Sequence, residues 1–415
     1  MSDYTHVDVH SVQSSKKSGM PCGDMLATLR TNTGTTIICA DGIGSGIRAH
    51  IAAQMCVSRL TESLQQELSL RTAFQSVATT MQASRDPKKP FAAFSIARIR
   101  SDGYATIFSY DAPPPIMVSR QGATVLANRP FPLPGGLALE SNCQLNMGEG
   151  ILLMSDGITQ AGLGYGANTE WTSEGVARFI NNKISSRLKL SLSPEMLHKE
   201  ALARWKGEVQ ESARSFSPYS PDARHQATVR QTAKARASFS GGDDCSIILG
   251  LCRTGQTVNI LTGPPLDRED DTATIKRFLQ SPGLKIICGG TTAKLVAKHL
   301  NVPLEMEDEP MSVIAPPRYG IKGINLVTEG AVTLNQVYNI LDEDIANLHE
   351  DSGVTELRLL LGVADKLNII VGMADNTANT DISFRQRGVL SRKVLMPLFA
   401  EKLRQEGKLV NVTFV

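Results

Sequence analysis

Short apolar runs that stop at an aspartate beside a glycine recur along this chain, and they restrict how it can fold. Ile37-Ile38-Cys39-Ala40 runs into Asp41-Gly42, and Ile151-Leu152-Leu153-Met154 runs into Ser155-Asp156-Gly157. Gly23-Asp24 opens a third run, and Gly241-Gly242-Asp243-Asp244 precedes Ile247-Ile248-Leu249. Apolar runs this short, bounded by turn residues, suit buried strands better than helices. Four acidic stations at strand ends, far apart in sequence, look like a hard-cation site assembled by folding. Oxygen donors of this kind suit Mg²⁺ or Mn²⁺ rather than Zn²⁺ or copper.

The surrounding pattern places these stations in an α/β sandwich. Met25–Arg30 and Thr35–Ala40 read as strands joined by a Thr-Asn-Thr-Gly turn. Ile47, Ile51 and Met55 then recur at helical spacing, with Leu60 and Leu64 continuing a helical face, and a second helix is expected over Arg71–Ser84. Strands return at Phe91–Arg100, Tyr104–Tyr110, Ile116–Ser119, Ala123–Ala127 and Gly150–Ser155. Strand blocks with a helical pair predict sheets in the middle and helices outside. Residues 162–240 read as a helical and basic insert or lid, with Tyr165 and Trp171 as anchors and a polar, basic end from Arg224 to Arg236. Cys245–Leu251 closes the domain, which is expected to cover residues 1–253.

From residue 256 to 415 the pattern changes to βα units. Val258–Thr262, Leu284–Cys288, Ile324–Val327 and Leu367–Val371 are expected strands with helices between them. Units of this length imply a doubly wound, mostly parallel sheet. Gly289-Gly290-Thr291-Thr292 stands where a strand hands over to a helix, and Thr328-Glu329-Gly330 ends another strand on the same edge. The first turn is either the site of a small anionic ligand or a tight turn with a threonine cap.

Composition excludes several function classes. With 415 residues, two domains or more are expected. A net charge of +2 gives no sign of nucleic-acid binding, and no apolar run approaches membrane-helix length. Seven scattered cysteines without a Cys-x-x-Cys pair read as free thiols of a cytoplasmic protein. There is no Gly-x-Ser-x-Gly, Cys-x5-Arg or Gly-Lys-Ser/Thr motif to compete with the carboxylates. Two cations a few ångströms apart, bridged by one carboxylate, can activate water and clamp phosphate oxygens.

Gly23-Asp24, Ala40-Asp41-Gly42-Ile43-Gly44-Ser45-Gly46, Ala112-Pro113-Pro114, Ser155-Asp156-Gly157 and Asp243-Asp244-Cys245-Ser246 occur in that order. Over roughly the first 250 residues the chain resembles the PPM-type metal-dependent serine/threonine phosphatases, in their bacterial SpoIIE-like branch. The resemblance implies an α-β-β-α sandwich and two Mn²⁺ or Mg²⁺ ions bridged by Asp41. Asp156 and Asp243 would complete one metal site. Asp24 and the Gly42 carbonyl would serve the other, and Asp244 would support the ligands from behind. The implied activity is hydrolysis of phosphoserine or phosphothreonine by metal-activated water, with a phosphorylated protein as partner. A phosphatase-like binding switch and a small-metabolite phosphatase are the alternatives. Two departures stand out. Ile43 takes the place of a histidine that eukaryotic members carry, and only Lys16 and Lys17 offer positive charge where those members have a phosphate-gripping arginine. Ser101-Asp102-Gly103 repeats the Ser-Asp-Gly triplet but lies between two expected strands, which makes it a hairpin turn.

Overall fold

The computed structural model describes residues 4–16, 19–44, 46–83, 91–134, 136–163, 170–185, 193–208, 242–306, 318–345, 348, 352–374 and 389–415. Lys17, Ser45, Tyr165 and the basic stretch 224–236 lie outside the described residues. The chain divides into two compact units. One comprises residues 7–29 and 33–253, the other residues 1–6, 30–32 and 254–415.

The N-terminal unit contains two sheets. One has the order β1 (Thr5–Ser14), β11 (Cys245–Thr254), β10 (Gly150–Met154), β6 (Ile116–Val118), β7 (Ala123–Val125). The other runs β2 (Asp24–Thr31), β3 (Gly34–Gly42), β4 (Ala92–Ile99), β5 (Tyr104–Tyr110), β9 (Gly136–Gln144), β8 (Arg129–Leu133). Alternating side chains send one set into a core between the sheets, with Ile37, Cys39, Ile99, Ile107, Ile151 and Ile248 buried there. The opposite face of the six-stranded sheet carries Ile38, Ala40, Phe94, Ile96 and Phe108 against α1 (Ile47–Gln65) and α2 (Leu70–Ala83). The other sheet turns Leu152, Met154, Ile247 and Leu249 toward Trp171, Val176, Ile180, Leu197 and Ala201. Those residues lie in or next to α4 (Thr172–Ser185) and α5 (Pro194–Trp205). The result is the expected α-β-β-α sandwich. α4 and α5 are therefore a packed outer layer.

The apolar repeat Ile47, Ile51, Met55 does not face the sheet. All three are exposed, whereas α1 buries Ala49, Ala52, Ala53, Cys56, Val57, Leu60 and Leu64. Small residues win the inner face because α1 lies on the end of β3. A Cβ at Gly42 would fall 1.9 Å from the Ala49 carbonyl oxygen.

The C-terminal unit has a seven-stranded sheet in the order β14 (Glu305–Met306), β15 (Arg318–Gly320), β16 (Leu326–Thr328), β13 (Leu284–Cys288), β12 (Thr257–Thr262), β17 (Lys366–Val371), β18 (Leu409–Phe414). The last five in that order are parallel, and β14 and β15 extend the edge antiparallel. Val258, Ile260, Ile286 and Ile369 pack on one face, and Leu261, Ile287, Val327 and Ile370 on the other. Apolar residues on both faces are what a doubly wound sheet requires. Asn259, Asn368 and Asn411 stand in register and pin it with amide hydrogen bonds of 2.9 and 3.2 Å. Among the described residues no helix is long and apolar enough to cross a membrane. All seven cysteines are free.

Candidate active site

Pairing of β10 with β11 places Met154 opposite Ile247, which brings the Ser155-Asp156 and Asp243-Asp244 turns together. Ser155 N–H donates to the Ser246 carbonyl, and Ser246 N–H to the Ser155 hydroxyl, both at 3.0 Å. Asp156 opens the single turn α3 (Asp156–Thr159), and Gln160 Nε2 donates to its carboxylate at 2.9 Å. On the other sheet, Asp41 is the penultimate residue of β3 and Asp24 the first of β2. Gly42 N–H donates to the Gly23 carbonyl at 3.1 Å and ties those two strand ends together.

Glycine is required by close approach at Gly23, Gly42 and Gly157. At Gly157 a Cβ would stand 2.0 Å from the Asp244 carbonyl oxygen, and at Gly23 one would stand 2.6 Å from Asp244 Oδ2. Asp244 is buried and supports its neighbours. Its carboxylate accepts from Gly23 N–H at 2.8 Å and from Lys16 N–H at 2.6 Å. Asp244 N–H in turn donates to Asp243 Oδ1 at 3.0 Å. Trp205 Nε1 donates to the Gly157 carbonyl at 2.8 Å and fixes the α3 turn from the outside.

Four carboxylates thus converge where the two sheets end. Burial, then the charge of Asp156, Asp24 and Asp243, pushes Asp41 well above the usual carboxylate range; a hydrogen bond to Asp156 adds to the shift. Burial pushes Asp24 up to about 7, with Asp244 and Asp156 adding to the rise while the Ser155 and Ser246 hydroxyls oppose it. Asp243 is raised by burial and by Asp156, against the pull of Lys16. Asp24 is only 2% exposed, and neither of its carboxylate oxygens has an aligned hydrogen-bond partner. A buried carboxylate left without donors is costly unless a cation or a proton satisfies it. The donor set is all oxygen, as Mg²⁺ or Mn²⁺ prefers. Among the described residues no three His, Cys, Asp or Glu side chains are closed to metal-ligand spacing.

Other polar residues have defined places. Lys16 Nζ stands 4.0 Å from Asp243 Oδ1. Lys16 lines a shallow cleft with Met20, Ile47, Arg48 and Asp244. His50 Nδ1 is 2.8 Å from the Cys22 carbonyl, so that imidazole anchors α1 to the Gly23 turn. Ile43 is exposed and offers no proton. Asp102 is absent from the cluster. It pairs with Arg100 at 3.0 Å and accepts from Tyr104 N–H at 3.0 Å, in the β4–β5 hairpin. Gln13 is a contributor that the sequence does not single out. Gln13 Nε2 donates to the Asp24 carbonyl and to Ser246 Oγ at 2.9 and 3.1 Å from an N-terminal strand whose polar alternation carries little signal.

Residues 31–211 match the family model of stage II sporulation protein E (SpoIIE). No curated protein sequence matches the chain. Among solved structures, the RsbU and RsbW domains of a Mycobacterium tuberculosis protein are 13% identical with a TM-score of 0.42, covering 66% of this chain and 68% of that one. The phosphatase domain of SpoIIE from Bacillus subtilis is 15% identical with a TM-score of 0.37, covering 61% and 94%. A serine/threonine phosphatase from S. agalactiae is 13% identical with a TM-score of 0.38, covering 59% and 99%.

Proposed function

We propose, from the match of residues 31–211 to the SpoIIE family model, that the N-terminal unit is a metal-dependent protein serine/threonine phosphatase. The observation that carries this reading is the convergence of Asp24, Asp41, Asp156 and Asp243, with the buried Asp24 carboxylate lacking any aligned donor. In this reading Asp41 would be shared by two cations. Asp156 and Asp243 would hold one of them, and Asp24 with the Gly42 carbonyl the other. Mg²⁺ or Mn²⁺ bound there would supply an activated water and neutralise phosphate charge.

The chain's own residues supply position and charge. Asp244 sets the Gly23 turn and Asp243 through the backbone hydrogen bonds described above. Gly42 and Gly157 let backbone approach where any side chain would block it. Lys16, beside Asp243 at 4.0 Å, would take the phosphate-gripping role that an arginine has in eukaryotic members. With Ile43 in the histidine position and His50 turned to the Cys22 carbonyl, protonation of the leaving alkoxide falls to solvent. The same feature favours the second reading, a module that grips a phosphorylated partner with little turnover.

Hydrolysis of p-nitrophenyl phosphate, phosphoserine and phosphothreonine peptides, and small phosphorylated metabolites, each with Mn²⁺, Mg²⁺ or chelator, separates the readings. Metal-dependent release from the peptides, lost in Asp41→Ala, is the expected result. Full activity in EDTA or a trapped phosphoenzyme would overturn the mechanism. Peptide binding without release would favour the switch, and release from metabolites alone would move the substrate class.

A further inference from the structure

Two helices of the C-terminal unit start side by side, and no side chain caps either of them. Here α7 denotes Gly290–Leu300, which follows β13 through Gly289, and α8 denotes Ala331–Asn339, which follows β16 through Gly330. The two strands pair in parallel with Cys288 opposite Thr328, so both helices begin at the carboxyl edge of adjacent strands. Gly289 N–H donates to the Thr328 carbonyl at 2.9 Å. A Cβ on Gly330 would stand 3.3 Å from Gly289 Cα, and Gly289 itself has φ 137°. The two turns therefore touch, and glycine at both positions makes that possible. A helix leaves its first amides without partners inside the helix, and here no N-cap side chain takes them up.

The third residue of each helix is a buried threonine, Thr292 in α7 and Thr333 in α8, exposed by only 3% and 0%. Neither hydroxyl has a hydrogen-bond partner. Thr292 Oγ1 lies 3.3 Å from where a Gly289 side chain would begin, so it points at the shared turn. The threonine cap that the sequence allowed is not formed. An unpaired buried hydroxyl is destabilising, and one occurs in the first turn of each of the two abutting helices.

We propose that the paired N-termini of α7 and α8 bind the phosphoryl group of a small anion, held by the amides of residues 290–292 and 331–333 and the hydroxyls of Thr292 and Thr333. Helix N-termini present N–H groups and positive potential to such a group. The usual crevice of a doubly wound sheet, where strand order reverses, lies here between β12 and β17. That position is filled. A Cβ at Gly372 would stand 2.1 Å from the Pro264 carbonyl oxygen, and the Arg392 guanidinium covers Gly263. Among the described residues, the turns after β13 and β16 lie on the same carboxyl edge and begin helices that no side chain caps. Glu329 in the second turn is half-buried, and burial raises its pKa.

The test uses the full chain in EDTA, so that the metal-free acidic centre repels phosphate. Inorganic phosphate and AMP are the probes, and amide hydrogen exchange over residues 288–293 and 329–334 is the readout. Both turns are expected to be protected in the wild type. Thr292→Val keeps the side-chain shape and removes only the orphan hydroxyl. It should melt at the same temperature or higher, yet need about tenfold more phosphate for equal protection, the usual scale for a hydrogen bond to a charged group. Thr333→Val provides the same test should the first variant misfold. Equal protection by both probes assigns phosphate itself, and tighter binding of AMP assigns a phosphomonoester. No protection of the wild type by either probe at about 10 mM, or unchanged protection in both valine variants, overturns the proposal.

Discussion

Asp24→Asn is expected to stabilise the metal-free N-terminal unit at neutral pH while weakening its response to metal. In the folded state the Asp24 carboxyl is held up to about 7, against an ordinary value of 3.8. A raised carboxyl pKa has a definite sign. Both states are protonated at low pH. As pH rises above about 4 the unfolded chain loses its proton while the folded one keeps it, so stability falls until the folded group ionises near 7. At about 1.4 kcal/mol per unit, the penalty above pH 7 is on the order of 4 kcal/mol, an upper figure because Asp41 and Asp156 share the same field. Asparagine carries no charge and escapes that penalty. Both tryptophans, Trp171 and Trp205, lie in this unit, so urea unfolding followed by their fluorescence reports on it. In EDTA the wild type should lose stability between pH 5 and pH 8, and Asp24→Asn should lose less and be the more stable at pH 8. Adding Mn²⁺ should raise the wild type by mass action and the variant by less. Equal stabilities at pH 8 in EDTA, or a wild type that gains stability from pH 5 to 8, would refute the electrostatic account of the cluster.

Three further outcomes follow from the same geometry. Gly42→Ala should cost about 3 kcal/mol or more in urea unfolding and abolish activity, because its Cβ would collide with the Ala49 backbone rather than with a movable side chain. Asp244→Asn should lower metal affinity by about 10–100-fold, read by metal titration of activity, since it loosens the Gly23 and Lys16 backbone while leaving the four converging carboxylates in place. Asp102→Asn should change stability by less than about 1 kcal/mol and leave metal-dependent activity intact; a loss of activity would show that the hairpin reading of that triplet is wrong.

Much of the fold could be read along the chain because burial leaves periodic traces. Tyr104–Tyr110 and Leu284–Cys288 have the bounds that their apolar runs suggest, and the parallel sheet follows from βα units of short length. The Asp-Gly stations were legible for a related reason: a backbone can approach an aspartate closely only where the next residue lacks a Cβ. Other elements left weaker traces. The strand Gly136–Gln144 reads as polar because its outer face meets solvent, and the helix Gly353–Val363 carries glycines at both ends of a leucine-rich run. Sequence alone determined that acidic turns would end apolar strands and that a doubly wound domain would follow. Tertiary structure decided which of those turns meet. Pairing of β10 with β11 and the Gly42–Gly23 bond draw four carboxylates together while Asp102 stays in its hairpin. Close approach of α1 to β3 reserves the inner face for alanines and turns Ile47, Ile51 and Met55 outward. Adjacency of β13 and β16 sets two uncapped helix starts against each other. None of these is periodic, because each depends on distances between segments far apart in the chain, and only a folded backbone defines those distances.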